Sequence, residues 1–193
     1  MARHREFNKE KALQQAMEVF WAKGYEATSV QDLLDAMGIH RGSMYDTFGD
    51  KKALYLATLK HYQSINYEAL CDLFSRVESA FEALTIFLHS LMERGQSDNP
   101  PGCFMNNAMV ETATQDQDVA TITSRNTNYM IAEIGKLMQR GQEQGEIRRD
   151  QSATALARYL YSAVQGMKVM SKNGADSQTL ENIIDVTLLA LKA

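Results

Sequence analysis

Apolar residues along this chain recur every three or four positions, in one run after another, and seldom alternate. That is the spacing of helices with one inward face, not of strands. Leu13, Ala16, Met17 and Phe20 mark a first helix, which Gly24 ends. Val30, Leu33, Leu34 and Met37 mark a second, with Thr28 or Ser29 able to cap it and Thr28 with Gln31 fitting a capping box. Gly38 follows directly, a residue type that adopts a left-handed conformation at no steric cost. A third, short helix starts near His40 and buries Met44 and Phe48. Two short helices around one glycine are the geometry that lays a recognition helix in the DNA major groove.

Asp50 caps a fourth helix, whose face runs through Leu54, Ala57, Leu59, Tyr62 and Ile65 toward Phe74. Phe81, Leu84, Phe87, Leu88 and Leu91 predict a fifth over 77–94. The stretch from Gly95 to Gly102, holding both prolines of the chain, reads as a loop. Short and long helices follow over about 103–113 and 118–144, the second with Ile122, Tyr129, Ile134, Leu137 and Met138 inward and Gly145 as its stop. Asp150 or Ser152 opens an eighth through Leu156, Tyr159, Leu160, Ala163, Val164 and Met167. Ser177 caps the last, carrying Leu180, Ile183, Ile184, Thr187, Leu188 and Leu191. The fold class is all-α, with about nine helices. Residues 1–6 read as a disordered, partly basic arm.

Residue identities sharpen the first part. Gly38, Ile39, Gly42, Ser43, Met44, Tyr45, Phe48, Gly49, Lys51, Ala53 and Leu54 closely resemble the DNA-binding domain of the tetracycline-repressor (TetR/AcrR) family. The aromatic-rich segment from Val19 to Tyr25 and the Thr28-Ser29-Val30 that follows match it too, so the resemblance covers roughly residues 8–60. It implies a helix-turn-helix domain over 1–52 and a helical ligand-binding and dimerisation domain over 53–193. The implied function is a ligand-responsive regulator on double-stranded operator DNA, a repressor that a small apolar or amphipathic effector releases.

Composition changes this picture little. In 193 residues, 45% hydrophobic and 23% charged describes an ordinary globular protein. The net charge of −4 argues against indiscriminate nucleic-acid binding, yet residues 1–60 carry a formal +1 and residues 61–193 a −5. The N-terminal part is the less acidic. No stretch approaches the roughly 18 apolar residues of a membrane span, and the opening Met-Ala-Arg-His-Arg has no apolar signal core. The expected location is the cytoplasm, with no membrane partner. Cys71 and Cys103 are too few for a disulfide framework or a zinc cluster, and no metal or cofactor is expected.

Bases are read by Arg or short polar side chains from the first turns of a recognition helix, and phosphates are held by Lys, Tyr, hydroxyls and backbone N–H groups. Arg41 is the long donor at that helix start and the candidate for guanine readout or a phosphate. Gly42 lets the backbone approach DNA, or simply starts the helix, and Ser43 can touch base or phosphate. Tyr45 is implied by the resemblance as a phosphate donor. Lys51 opens the fourth helix, where charge and dipole both favour a phosphate, and Thr28 and Ser29 do the same for the second. The chain departs from the family pattern at His40 and at Asp46 and Thr47, the latter two standing where aromatic or basic residues are frequent. His40 stands where Ser or Thr is usual, weakening the cap, and Asp46 either accepts from cytosine or, the favoured reading, turns toward a cation of the same domain.

The resemblance implies that the C-terminal helices dimerise and enclose a ligand cavity. The apolar residues on 152–170 and 177–191 exceed what one inner face requires, which places self-association through about 152–191. Methionine fills irregular pockets, and seven of the eleven lie after residue 90. Phe87, Met92, Phe104, Met109, Tyr129 and Tyr161, with Asn107 and Gln165 as polar contacts, are the candidate cavity lining, although each is individually more ordinary as core. Cys103, after Pro-Pro-Gly at a predicted helix start, offers an alternative on the same fold: a thiol sensor of redox state or electrophiles. A small helical enzyme is the competing class. Cys103 with His89 sketches a nucleophile and base, but no phosphate loop, HExxH, GxSxG or CxxC supports it.

Overall fold

A computed structural model describes residues 7–95 and 102–193. Over those residues the chain forms nine helices and no strand: α1 (Lys9–Lys23), α2 (Val30–Met37), α3 (Arg41–Phe48), α4 (Lys51–Arg76), α5 (Ala80–Gly95), α6 (Phe104–Glu111), α7 (Gln117–Gln144), α8 (Ala153–Lys172) and α9 (Ser177–Leu191). The basic arm expected over 1–6 and the proline loop over 96–101 lie outside the described residues. Two compact units result, one of Met1–Ile65 with Asn107–Thr123, the other of Asn66–Asn106 with Ser124–Ala193. The first is therefore discontinuous in sequence, and α4 passes from one unit to the other after Ile65.

In the first unit Ala12, Ala16, Met17 and Phe20 of α1 are buried with Leu33, Leu34 and Met37 of α2, Met44 of α3, and Leu54, Tyr55 and Leu59 of α4. Aromatic rings tie this small core together. Tyr55 lies edge-on to Phe20 at 5.0 Å and tilted against Tyr25 at 4.7 Å, and Trp21 meets Tyr62 edge-on at 5.1 Å. Such pairs add roughly 0.5–1.5 kcal/mol each beyond their buried area. The fourth helix differs from its expected face: Ile65 is exposed, whereas Tyr55 and Thr58 are buried. An i, i+4 row through Leu54 and Thr58 with the neighbouring Tyr55 and Leu59 is the stripe that the core selects, and Ile65 falls outside it.

The second unit is built on Leu70, Phe74, Leu84, Leu88, Ile134, Leu137, Met138, Leu160, Val164, Met167 and Ile184. Its helix ends are satisfied by long polar side chains. Arg140 donates from its guanidinium to the Phe74 carbonyl at 2.7 Å and the Val77 carbonyl at 3.1 Å, closing the C-terminus of α4. Glu146 accepts from the Phe81 amide at 2.9 Å and the Ser79 hydroxyl at 3.0 Å, capping α5. Ser152 caps α8 as expected, but Asp176, not Ser177, caps α9, accepting from the Thr179 amide at 2.8 Å. A carboxylate at a helix start accepts from the free amides as a serine does and also meets the positive end of the dipole.

Candidate nucleic-acid interface

The turn between α2 and α3 is defined from both ends by local chemistry. Ser29 is the cap of α2: the Asp32 amide donates to the Ser29 hydroxyl at 3.1 Å, and the Ser29 amide donates to the Asp32 carboxylate at 2.8 Å. The capping box therefore joins Ser29 and Asp32, correcting the expected Thr28 and Gln31. The one-residue shift follows from burial, since Thr28 is buried and its hydroxyl donates to the Gly24 carbonyl at 2.6 Å. Of the two hydroxyls proposed for DNA, only that of Ser29 faces solvent. Lys23 pairs with Asp32 at 2.6 Å and, with the Ser29 bonds, holds that carboxyl well below the usual range. At the other end of α2, Gly38 has φ of 64° and donates to the Leu34 carbonyl at 3.0 Å. A side chain would strain this left-handed turn.

Helix α3 follows with His40 as its cap residue and no side-chain cap bond. Arg41, Gly42, Tyr45 and Asp46 are exposed, Ser43 and Thr47 are half-buried, and Met44 is fully buried. The helix thus stands on one methionine and turns a stripe of polar side chains outward. Phe48 is half-buried rather than buried, its ring 6.4 Å from that of Phe7 and under the Lys9 ammonium. Among the described residues Asp46 pairs with no Lys or Arg, so the expected turn toward a cation is not seen there.

Helix α4 begins three residues after α3 ends. Asp50 caps it, accepting from the Ala53 amide at 2.7 Å. Lys51 is half-buried, with its ammonium 4.4 Å from the centroid of the Tyr25 ring. Lys52 is committed elsewhere, to Asp116 at 2.9 Å and Asp118 at 2.8 Å; the two carboxylates raise its pKa, and its ammonium in turn lowers that of Asp116. The C-terminal end of α6 reaches the same region. The Glu111 carboxylate accepts from the Tyr25 amide at 3.1 Å and the Glu26 amide at 3.0 Å. Gly24, with φ of 84°, leaves room for it, because a Cβ there would lie 2.9 Å from both carboxylate oxygens. Burial pushes the Tyr55 phenol up to about 12 although Thr112, just past α6, hydrogen-bonds to it. Composition carried no signal for these ties, which span about 85 residues in sequence.

The candidate cavity residues are not all brought together. Phe87, Phe104 and Tyr161 are buried, Met92 packs against the core of the second unit, and Gln165 accepts from the Asn106 amide group at 2.7 Å. Tyr161 sits 3.3 Å from the Thr127 hydroxyl, and burial raises its phenol. Asn107 and Met109 belong to the first unit, and Met109 is exposed. Tyr129 is also exposed, its ring tilted against that of Tyr67 at 5.9 Å. The inward line of α7 runs Asn126, Met130, Ile134 and Met138 at every fourth residue, which leaves Tyr129 at its edge. Cys103 is buried and precedes the first residue of α6, so the exposed thiol that the sensor reading requires is not found. Cys71 is half-buried, and burial pushes its thiol up. Among the described residues no three His, Cys, Asp or Glu side chains cluster as metal ligands, and no helix is long and apolar enough to cross a membrane.

Comparison with known proteins agrees with this geometry. Residues 12–58 match the family described as bacterial regulatory proteins, tetR family, and residues 78–187 match the tetracyclin repressor-like C-terminal domain. The chain is 32% identical to the HTH-type transcriptional regulator YezE of Bacillus subtilis, over 99% of this chain and 100% of that one. It is 34% identical to the HTH-type transcriptional repressor ComR of Escherichia coli, over 94% and 88% of the two. Among solved structures, a cysteine mutant of the TetR family regulator CifR, complexed with 26 bp double-strand operator DNA, superposes with a TM-score of 0.86. It is 30% identical, with 97% of this chain and 99% of that chain covered.

Proposed function

Since the chain belongs to the tetR family of bacterial helix-turn-helix transcriptional regulators, we propose that it is a homodimeric repressor that leaves its operator when a small apolar or amphipathic effector binds. The observation that carries the DNA reading is the outward stripe of α3. Arg41, Gly42 and Tyr45 are exposed over a fully buried Met44, so the helix is anchored from behind and free in front. Arg41 takes the base-reading role, and Tyr45, Ser43, Ser29 and Lys51 hold phosphates, with the uncapped first amides of α3 beside them. The exposed Asp46 then accepts from cytosine N4 in this reading.

In this reading residues 1–52 are the DNA-binding head and residues 53–193 the effector-binding and dimerising part. Phe87, Met92, Phe104, Tyr161 and Gln165 are its pocket candidates. Dimerisation through about 152–191 is supported by Tyr159, Val169, Met170, Val186 and Leu189, which α8 and α9 expose in addition to their buried faces. The protein catalyses no reaction, and a DNA partner places its work in the cytoplasm. A gel shift on the DNA upstream of its own gene, repeated at two salt concentrations, tests the regulator reading. Specific retention that weakens with salt is expected, and equal affinity for upstream and random duplex would overturn it. Calorimetry then tests the effector role. Linkage requires operator DNA to weaken effector binding by the same factor as effector weakens DNA binding.

A further inference from the structure

We infer that Glu111 is a positioning residue for DNA binding, acting on Lys51 through Tyr25. The inference rests on the reading of Lys51 as a phosphate contact. Three observations carry it. The first is geometric: one carboxylate accepts from two successive amides, of Tyr25 and Glu26, at 3.1 and 3.0 Å. Bonds to an ionised acceptor are roughly twice as strong as neutral ones, so the α1–α2 turn is held at two points. The second is the price Glu111 pays in its own helix. It is the last residue of α6, and no basic residue accompanies it there. A carboxylate opposes the negative end of the dipole, so α6 gains nothing from an acid at this position and the α1–α2 turn gains two bonds. The third is what lies on the other side of Tyr25. Its ring is packed against Phe20 and Tyr55 at 6.1 and 4.7 Å and carries the Lys51 ammonium at 4.4 Å. A cation over a ring face is attracted to it, so fixing Tyr25 fixes where Lys51 stands. Lys52, the neighbouring cation, is already neutralised by Asp116 and Asp118. Of the two lysines, it is Lys51 whose charge is left for phosphate.

The test uses the full chain and a fluorescently labelled random-sequence duplex, titrated over a range of salt, because a phosphate contact appears in the slope of log affinity against log salt. Lys51→Ala should lower that slope by about one. Glu111→Gln, which keeps the shape but gives up one acceptor, should lower it by a similar amount. The double variant should do no worse than Lys51→Ala alone, since the two residues act on one contact. Tyr25→Leu removes the ring and keeps the backbone bonds to Glu111. It should reproduce the loss, and it decides the matter should Glu111→Gln fail to fold. A residue that only stabilised the fold would lower the melting temperature and leave the slope untouched. A wild-type slope in Glu111→Gln or in Tyr25→Leu, or losses that add in the double variant, would overturn the inference while Lys51→Ala still weakens binding. An unchanged Lys51→Ala protein would instead remove the phosphate reading itself, and the inference with it.

Discussion

Helix α3 and the pair α8–α9 solve opposite problems. Of the eight residues of α3 only Met44 is buried, and the outward face is polar. The two C-terminal helices bury Leu156, Leu160, Val164, Met167, Leu180, Ile184 and Leu191 and still expose Tyr159, Val169, Met170, Val186 and Leu189. A helix with one anchor and a bare polar face is built to be read by a polar partner. A helix with apolar residues on a second side is unfinished until something apolar covers it. The same contrast separates their energetics. On the reading proposed above, DNA would be held at α3 by a few directional contacts, and a partner copy at α8–α9 by area.

The contrast can be broken most severely at the second face. Val186→Glu with Leu189→Glu places like charges on a face proposed to meet its own copy. Like-charge contacts across an interface cost several kcal/mol, so dimerisation should weaken by about 1,000-fold or more. Sedimentation at micromolar concentration should then show monomer, and operator binding should collapse, because a dimer sets two reading heads about 34–36 Å apart. A variant that remains dimeric would show that this face is not the interface. Next in size, Met44→Ala should cost about 2–5 kcal/mol of stability, as buried Met truncations do. Urea unfolding measures it, and a loss near zero would mean that α3 has no real anchor. Arg41→Ala should leave that stability unchanged and cost about 1–3 kcal/mol of operator binding, with relaxed preference at one base pair. Equal weakening on every sequence would reduce Arg41 to a phosphate contact. The smallest change sharpens the comparison by improving α3: His40→Ser supplies the missing cap and should stabilise the protein by about 0.5–1 kcal/mol. No gain in the urea midpoint would show that the α3 amides are satisfied without it.

What could be read from the sequence divides along range. Helix α2, Gly38 and α3 were legible because their signals are local: apolar spacing, a cap-capable pair, and a glycine at the left-handed turn. Even there the capping box falls one residue later than Thr28 and Gln31 suggest, since Thr28 and Ser29 are equivalent by type and differ only in that Thr28 is buried against the Gly24 carbonyl. The spacing of α7 showed a helix but not which flank would be covered, so Tyr129 read as inward although it lies exposed on Tyr67. Nothing in the pattern signalled that Glu111, Asp116 and Asp118 would meet Tyr25, Glu26 and Lys52. Those pairings join residues far apart in sequence, and each acid taken alone resembles an ordinary solvated charge.

The discontinuous first unit sets a rule for recombining this protein with its relatives. A head excised as one continuous segment, whether cut after residue 52 or after Ile65, leaves residues 107–123 behind. Two amides of the α1–α2 turn would then lose their acceptor, and Lys52 would lose both carboxylates. Gly24 would keep a space that nothing fills. A chimera meant to carry this operator preference onto another effector domain must therefore transplant two segments together. Equivalently, positions 24 and 111 must be inherited as a matched pair.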